Sequence, residues 1–424
     1  MANNLSSNVT RQVMRVFLEG FEASRVLTKS IDTQMFKGKF SPKSGATVDV
    51  KRPHDYRTVR TSDGDISLQT KNDIVSGKAT ATVQDFFTEA TEWGILEEAI
   101  QLDQLEEILY PMAARMVTDL ELDLGRYMMI NAGLSYGSPG TAVAAWSDVA
   151  GAGALLRSIG VPTDKKWKYV MNPYTCKALA DAQAGLASGK DSLVTNAWED
   201  AMISKNLGGM EVLQSNALKS RTSSDATDRA GTLSATPTAT YVSVKDTMVM
   251  SLAVAGFSNN AVVKAGDIVE ITGRHHLSLS TREPIFDEAG AKVKFRATVT
   301  ADVTLSGTGT GTLEVAGPAI FESAGQYNTV DTALTSGDVI TILGTTSAVY
   351  QPNLFFHPQA FGMATVKLPK LYSTDTVAWT PDGISLRVSR YADGDANKQM
   401  MRVDLLPAFA TFNPFFAGQG YGVP

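Results

Sequence analysis

Apolar residues recur at 105, 109, 112, 116, 120, 124 and 127, three or four apart, which is the spacing of one face of an α-helix. Pro111 falls inside this run. Proline lacks an amide hydrogen and crowds the carbonyl one turn back, so the pattern predicts a short helix ending near Leu109 and a long one from Pro111 to about Asn131. At 1.5 Å per residue the second would span roughly 30 Å, enough for the spine of a domain. A shorter amphipathic helix is expected from Val9 to Leu18, where Val9, Val13, Val16 and Phe17 share a face and Asn8 can cap. That length is marginal in isolation, so this helix needs a partner surface.

Between the two helices the texture changes to small and β-branched residues. Thr47–Arg52 and Ser76–Val83 read as outgoing and returning strands, joined by a polar, charged crossing. Fully extended, a hairpin over 47–91 would reach roughly 60 Å, against a radius of gyration of about 19 Å for a core of about 300 residues. A two-stranded ribbon that overhangs its own subunit is marginal in water, which points to docking on another molecule. Its charged residues, Lys51, Arg52, Arg57, Arg60, Asp63 and Asp65, are candidate subunit-interface residues. Exposed ion pairs add at most about 1 kcal/mol each but set register and partner choice. Asp63-Gly64-Asp65 reads as the turn.

From Trp146 to Leu213 the pattern is α/β, with helices near 147–158, 173–184 and 191–202 and strands near 167–171 and 210–214. Ser220–Thr236, rich in Ser, Thr, Ala, Asp and Gly, reads as a linker. Beyond it, 238–349 alternates short β runs with Gly-Asp and Ser-Gly turns, the signature of an all-β barrel or sandwich. The tail returns to mixed texture, with a hairpin whose arms are Ile384–Tyr391 and Lys398–Leu406. Its strands are expected to pair with the α/β lobe, the helical spine or both, so that the β block is an insertion.

The 424 residues carry a formal net charge of −6, which gives no support to a broad nucleic-acid-binding surface. Cys176, the single cysteine, excludes an intrachain disulfide and reads as a packing thiol early in a helix capped by Asn172. No secretory pattern or run long enough to cross a bilayer is present, which leads to the expectation of a soluble protein made in a cytoplasm. Catalytic constellations are missing. His54, His275, His276 and His357 lack metal-ligand spacing, and adjacent histidines on a strand point to opposite faces. Asp393-Gly394-Asp395-Ala396-Asn397 opens like a calcium loop, but Lys398 stands where glycine is required and Asp404 where glutamate is. No metal, cofactor or enzymatic activity is expected.

Lys51-Arg52-Pro53-His54, Gly64-Asp65-Ile66-Ser67, Leu105-Glu106-Glu107-Ile108-Leu109, Trp146-Ser147-Asp148-Val149-Ala150, Lys264-Ala265-Gly266-Asp267, Leu368-Pro369-Lys370-Leu371 and Asp404-Leu405-Leu406-Pro407-Ala408 stand in an order and spacing that, over essentially the whole chain, resembles the P22-like coat proteins of short-tailed double-stranded DNA phages. The resemblance implies an α+β fold of the Hong Kong 97 type with an inserted, barrel-like all-β domain. It divides the chain into an N-terminal arm (1–46), an E-loop hairpin with P-domain strands (47–92), a P-domain with spine helix (93–139), an A-domain (140–221), the β insertion (222–349) and a return to A- and P-domains (350–424). The implied function is a major capsid protein of the virion, assembled in the bacterial cytoplasm into an icosahedral shell. The implied partners are identical subunits in pentamers and hexamers, a scaffolding protein, a portal at one vertex and packaged double-stranded DNA held without sequence-specific binding, with no membrane. A family loop that reaches a neighbouring capsomer corresponds to the short connection around Lys245-Asp246-Thr247, so that contact is not expected. The alternative from another class is a hydrolase or carbohydrate-binding enzyme with a β accessory domain; a cleft with converging acid and base residues would favour it.

Overall fold

The computed structural model describes residues 6–33, 46–69, 71–94, 105–184, 203–369, 376–379, 383–393 and 398–423. The helix expected at 191–202, the turn 394–397 and the stretch 96–104 lie outside them. The chain divides into two compact units. Met1–Val50, Thr80–Gly125 and Phe361–Ala410 form one, and Lys51–Ala79, Arg126–Ala360 and Thr411–Pro424 form the other.

In the first unit the N-terminal helix runs over Ser6–Ser24, longer than the expected 9–18, because Phe21 continues the face of Phe17 one turn on. Val16, Phe17 and Phe21 are buried, and Gly20 allows close packing on the long helix. A Cβ there would lie 3.1 Å from the Tyr110 ring and 3.2 Å from the Ala113 methyl. The buried Glu121 carboxylate accepts the Val26 and Thr28 amides and the Thr28 hydroxyl, fixing the turn that follows the N-terminal helix.

The long helix is continuous over Leu105–Ile130, with Pro111 inside it. This corrects the expected break. Pro111 is the seventh residue of the helix, so the bond it removes, to the Glu107 carbonyl, and the crowding one turn back both fall in the first turns and leave the rest intact. Leu109, Ala113, Met116, Val117, Leu120 and Leu124 form one buried face running past it. Two four-stranded sheets complete the unit. One has the order Thr47–Lys51, Lys78–Val83, Pro407–Thr411, Phe361–Thr365; the other runs Thr376–Trp379, Ser385–Asp393, Lys398–Leu405, Phe87–Gly94. The expected C-terminal hairpin is therefore present, with Asp393 opposite Lys398 and Arg387 opposite Asp404.

The second unit holds a six-stranded mixed sheet in the order Leu134–Tyr136, Ala417–Gly420, Asn353–Phe356, Lys168–Met171, Met210–Gln214, Asn206–Leu207. Helix Trp146–Ile159 packs Val149, Ala152, Leu156 and Ile159 into the core shared with Tyr169, Met171 and Phe355. Asn353–Phe356 and Ala417–Gly420 come from the C-terminal part, so the α/β lobe closes only after the intervening chain returns.

That intervening chain forms a closed six-stranded barrel in the order Val249–Ala255, Gly311–Ala316, Lys294–Val299, Ile268–His275, Val339–Ile342, Ala230–Leu233. Alternate residues point inward, as the two-residue period of a strand requires: Met250, Leu252 and Val254, then Leu313 and Val315, then Ile340 and Ile342. One expectation fails here. The stretch 220–236 is not merely a linker, because Ala230–Leu233 pairs with both Val249–Ala255 and Val339–Ile342 and closes the barrel. Its small residues hide the alternation, but Gly231 and Leu233 face inward while Ala230 and Thr232 are exposed.

Candidate functional site

Strands Thr47–Lys51 and Lys78–Val83 lead into and out of an arm. At its base Arg52 is buried. Its amide donates to the Gly77 carbonyl at 2.9 Å, its Nε to the Lys78 and Lys245 carbonyls at 3.0 Å each, and its Nη2 to the Thr411 carbonyl at 3.3 Å. Burial lowers its pKa to about 10, against the raising influence of Tyr241 and Asp246. Gly77 sits so close to the opposite wall that a Cβ would lie 2.7 Å from the Lys245 carbonyl oxygen and 3.0 Å from the Tyr241 hydroxyl. Gly77→Ala is expected to cost about 1–3 kcal/mol, the range for overpacking a tight site, measured as a lower urea midpoint of the isolated subunit.

Beyond the base no strand pairing continues among the described residues, which form an irregular loop rather than an extended ribbon. Asn72 joins its two limbs by accepting the Arg57 amide at 2.9 Å and donating to the Arg57 carbonyl at 2.8 Å. At the tip Gly64 takes φ +79°, and the Asp63 and Asp65 carboxylates accept the amides of Asp65 and Ser67. The bond from Ser67 lowers the pKa of Asp65. The turn read from Asp63-Gly64-Asp65 is thus formed by side chains capping their own backbone.

The six charged residues named from the sequence separate into two groups. Lys51, Arg57, Arg60, Asp63 and Asp65 are exposed, with Arg57 also donating to the Ala324 carbonyl at 3.1 Å. Arg52 differs: its guanidinium is enclosed by carbonyls of its own chain, so its charge holds the arm's base and does not face outward. Sequence reasoning passed over the apolar residues. Leu68 is 96% exposed, Ile74 76%, Tyr56 59% and Ile66 48%. A single exposed apolar residue is ordinary, but several on one polar arm call for a covering surface. The signal was present as Ile66 and Leu68 at alternate positions in an otherwise polar tip.

The other sequence candidates have local roles. His275 Nδ1 lies 2.9 Å from Asp331 Oδ2, whereas His276 is buried with Nε2 accepting the Arg296 amide at 3.4 Å, and burial lowers its pKa to about 4. His357 Nε2 is 3.0 Å from Asp164 Oδ1. Cys176 is buried, which raises its thiol pKa and suits packing. Asp404, the acidic residue that would have ended a calcium loop, is taken by Arg387 and Arg402. Among the described residues no group of three or more His, Cys, Asp or Glu is placed to hold a metal ion, and no described helix is long and apolar enough to cross a membrane.

The arm thus carries exposed charged and apolar side chains and no metal or catalytic cluster among the described residues. Comparison with known proteins identifies the class. The family model described as "P22 coat protein - gene protein 5" matches residues 1–422. A curated relative, the "Major capsid protein" of Acyrthosiphon pisum secondary endosymbiont phage 1, is 43% identical over 427 residues, covering 100% of both chains. Among solved structures, one from Mycobacterium phage Che8 is similar with a TM-score of 0.46 at 12% identity, covering 93% of this chain and 90% of that one. The capsid of Ralstonia phage GP4 gives a TM-score of 0.41 at 9% identity, covering 90% and 84%. The chain belongs to the P22 coat protein family, whose Hong Kong 97-type fold the sequence resemblance implied: it is a phage major capsid protein, a component of the virion's shell and not an enzyme.

Proposed function

We propose that copies of this subunit, with a scaffolding protein inside, close an icosahedral shell of pentamers and hexamers around double-stranded DNA and leave one vertex for a portal. In this reading the arm Lys51–Ala79 lies over an identical neighbour. The observation that carries it is the uncovered set Tyr56, Ile66, Leu68 and Ile74. Covering an exposed large apolar side chain stabilises by about 1.5–3 kcal/mol, while an exposed ion pair gives about 0–1 kcal/mol. The apolar residues therefore supply affinity, and Lys51, Arg57, Arg60, Asp63 and Asp65 supply register. Contacts that are weak singly become strong when each subunit makes several at once. The net charge of −6 suits a wall that does not hold packaged DNA tightly.

Co-expression with the scaffolding protein encoded by the same phage, followed by negative-stain microscopy, tests the reading. Polyhedral particles are the expected result. Discrete subunits alone, at concentrations where the scaffold is present in excess, would overturn it.

A further inference from the structure

The residues that hold the arm come from the inserted segment and lie far from it in sequence. Gln326 is buried, and its Nε2 donates to the Asp55 carbonyl at 2.9 Å and to the Asp73 carbonyl at 2.8 Å. One amide group therefore clasps both limbs. Arg282 forms an ion pair with the Asp55 carboxylate while its Nη1 donates to the Asn328 carbonyl at 2.8 Å. The Tyr327 hydroxyl accepts the Asp55 amide at 3.4 Å, and the Tyr327 ring stacks on Tyr241 at 3.7 Å and 10°. Ala324 offers its carbonyl to Arg57, and Asp246 accepts the Lys78 amide at 3.2 Å.

Two further features mark this as a built mount. Gln326, Tyr327 and Ala324 lie on the connection 317–338 between two barrel strands, and barrel strands are joined far more economically when a connection has no task. Arg282 and Ala324 take φ +58° and +57°, in the left-handed region that residues with a Cβ seldom adopt. Both then present a polar group to the arm, and strained backbone of this kind gathers where a geometry is used.

We propose that two connections of the inserted segment, 276–293 and 317–338, which pack Ile285, Ile320 and Tyr327 into the core of the α/β lobe, are the mount of the arm. Gln326 and Arg282 are its positioning residues, fixing the direction in which the arm leaves the subunit and hence how it meets a second copy. The inference rests on the reading of the arm as an intersubunit contact and adds to it the part of the chain that aims it.

The test uses the full-length subunit. Gln326→Leu removes both clasping donors, and Arg282→Asp replaces the ion pair with two facing carboxylates. Arg274→Ala, which loses the pair with Asp338 at 2.7 Å and bonds to Thr335 and Gly273, all within the inserted segment and none to the arm, is the control. In the isolated subunit, tryptic cleavage after Arg57 and Arg60 is expected to quicken about tenfold in the first two variants and not in the control, the scale of losing one or two buried hydrogen bonds from a local opening equilibrium. Amide exchange in the barrel strands should stay at the wild-type rate. With scaffold present, both variants should give open or mixed-diameter particles, and Asp55→Arg placed in the Arg282→Asp background should restore slow cleavage and uniform shells. Unchanged cleavage in Gln326→Leu would overturn the proposal, as would quickened cleavage with shells of wild-type diameter. Failure of the parent reading looks different: a subunit lacking 55–72 would then form normal shells whatever the two point variants do.

Discussion

Deleting residues 55–72 is expected to yield a folded, soluble subunit that forms no closed shells. The excised stretch contributes almost nothing to its own chain's core, since nearly every described side chain in it is exposed, while the base remains anchored by Arg52 on three carbonyls. What disappears is the surface that a neighbour would cover. A milder pair of substitutions, Leu68→Ser with Ile74→Ser, separates this from any effect of shortening the chain. Both positions are so open that subunit stability should change by no more than about 0.5 kcal/mol. Association should weaken by about 1.5–3 kcal/mol per side chain if each is covered in the shell. With about 1.4 kcal/mol per factor of ten, the two losses together should raise the concentration needed for assembly at least about a hundredfold. Sedimentation of assembly mixtures over a concentration series reads this directly. Wild-type assembly by both the deletion and the double substitution would remove the arm from the mechanism.

The outline of the arm was legible because strands announce themselves locally. Thr47–Lys51 and Lys78–Val83 lie within a residue or two of where β-branched and small residues placed them. The same holds for the hairpin Ser385–Asp393 and Lys398–Leu405, and for Lys168–Met171 and Met210–Gln214 in the lobe. Misreadings arose where a local rule met a tertiary one. Pro111 signals a helix break, but its cost falls near the helix start, and the buried face from Leu109 to Leu124 outweighs it. Ala230–Leu233 has linker composition, yet a barrel lacking one strand would leave two edges unpaired, so closure recruits it.

The arm's exposed charges are plain in the sequence, and its anchors are not. Arg52 looks like Lys51 and Arg57 in the sequence, and only the fold shows that three carbonyls, one of them 193 and another 359 positions away, enclose it. Gln326 stands 271 positions from Asp55 in a segment without periodicity, and nothing local ties a lone glutamine to a distant loop. Pairings of that kind depend on the chain's return path, which hydrophobic spacing does not encode.

Replacing Asp404 is expected to have the largest effect on the subunit's own stability. Its carboxylate is fully buried in the sheet of Ser385–Asp393, Lys398–Leu405 and Phe87–Gly94. Arg387 donates to Oδ2 through Nε at 3.1 Å and Nη2 at 2.6 Å, while Arg402 Nε at 2.7 Å and the Thr88 hydroxyl at 2.8 Å donate to Oδ1. Asp404→Ala leaves the Arg387 guanidinium buried without its partner, a change that costs about 3–5 kcal/mol, a large share of the roughly 5–15 kcal/mol that holds a typical domain together. Arg402→Ala, removing the partner that reaches solvent, should cost no more than about 1 kcal/mol. The pH dependence follows from the carboxylate. Burial alone would raise its pKa, but the bonds from Arg387, Arg402 and Thr88 prevail and hold it below the usual range. A group whose folded pKa is depressed stabilises above its unfolded pKa and loses that contribution as pH falls through the folded one. The gap in urea midpoint between wild type and Asp404→Asn should therefore stay constant from pH 8 to about pH 5 and narrow below about pH 4. Equal midpoints for the wild type and Asp404→Ala at neutral pH would show that the two arginines find other partners, and that this buried cluster does not hold the sheet.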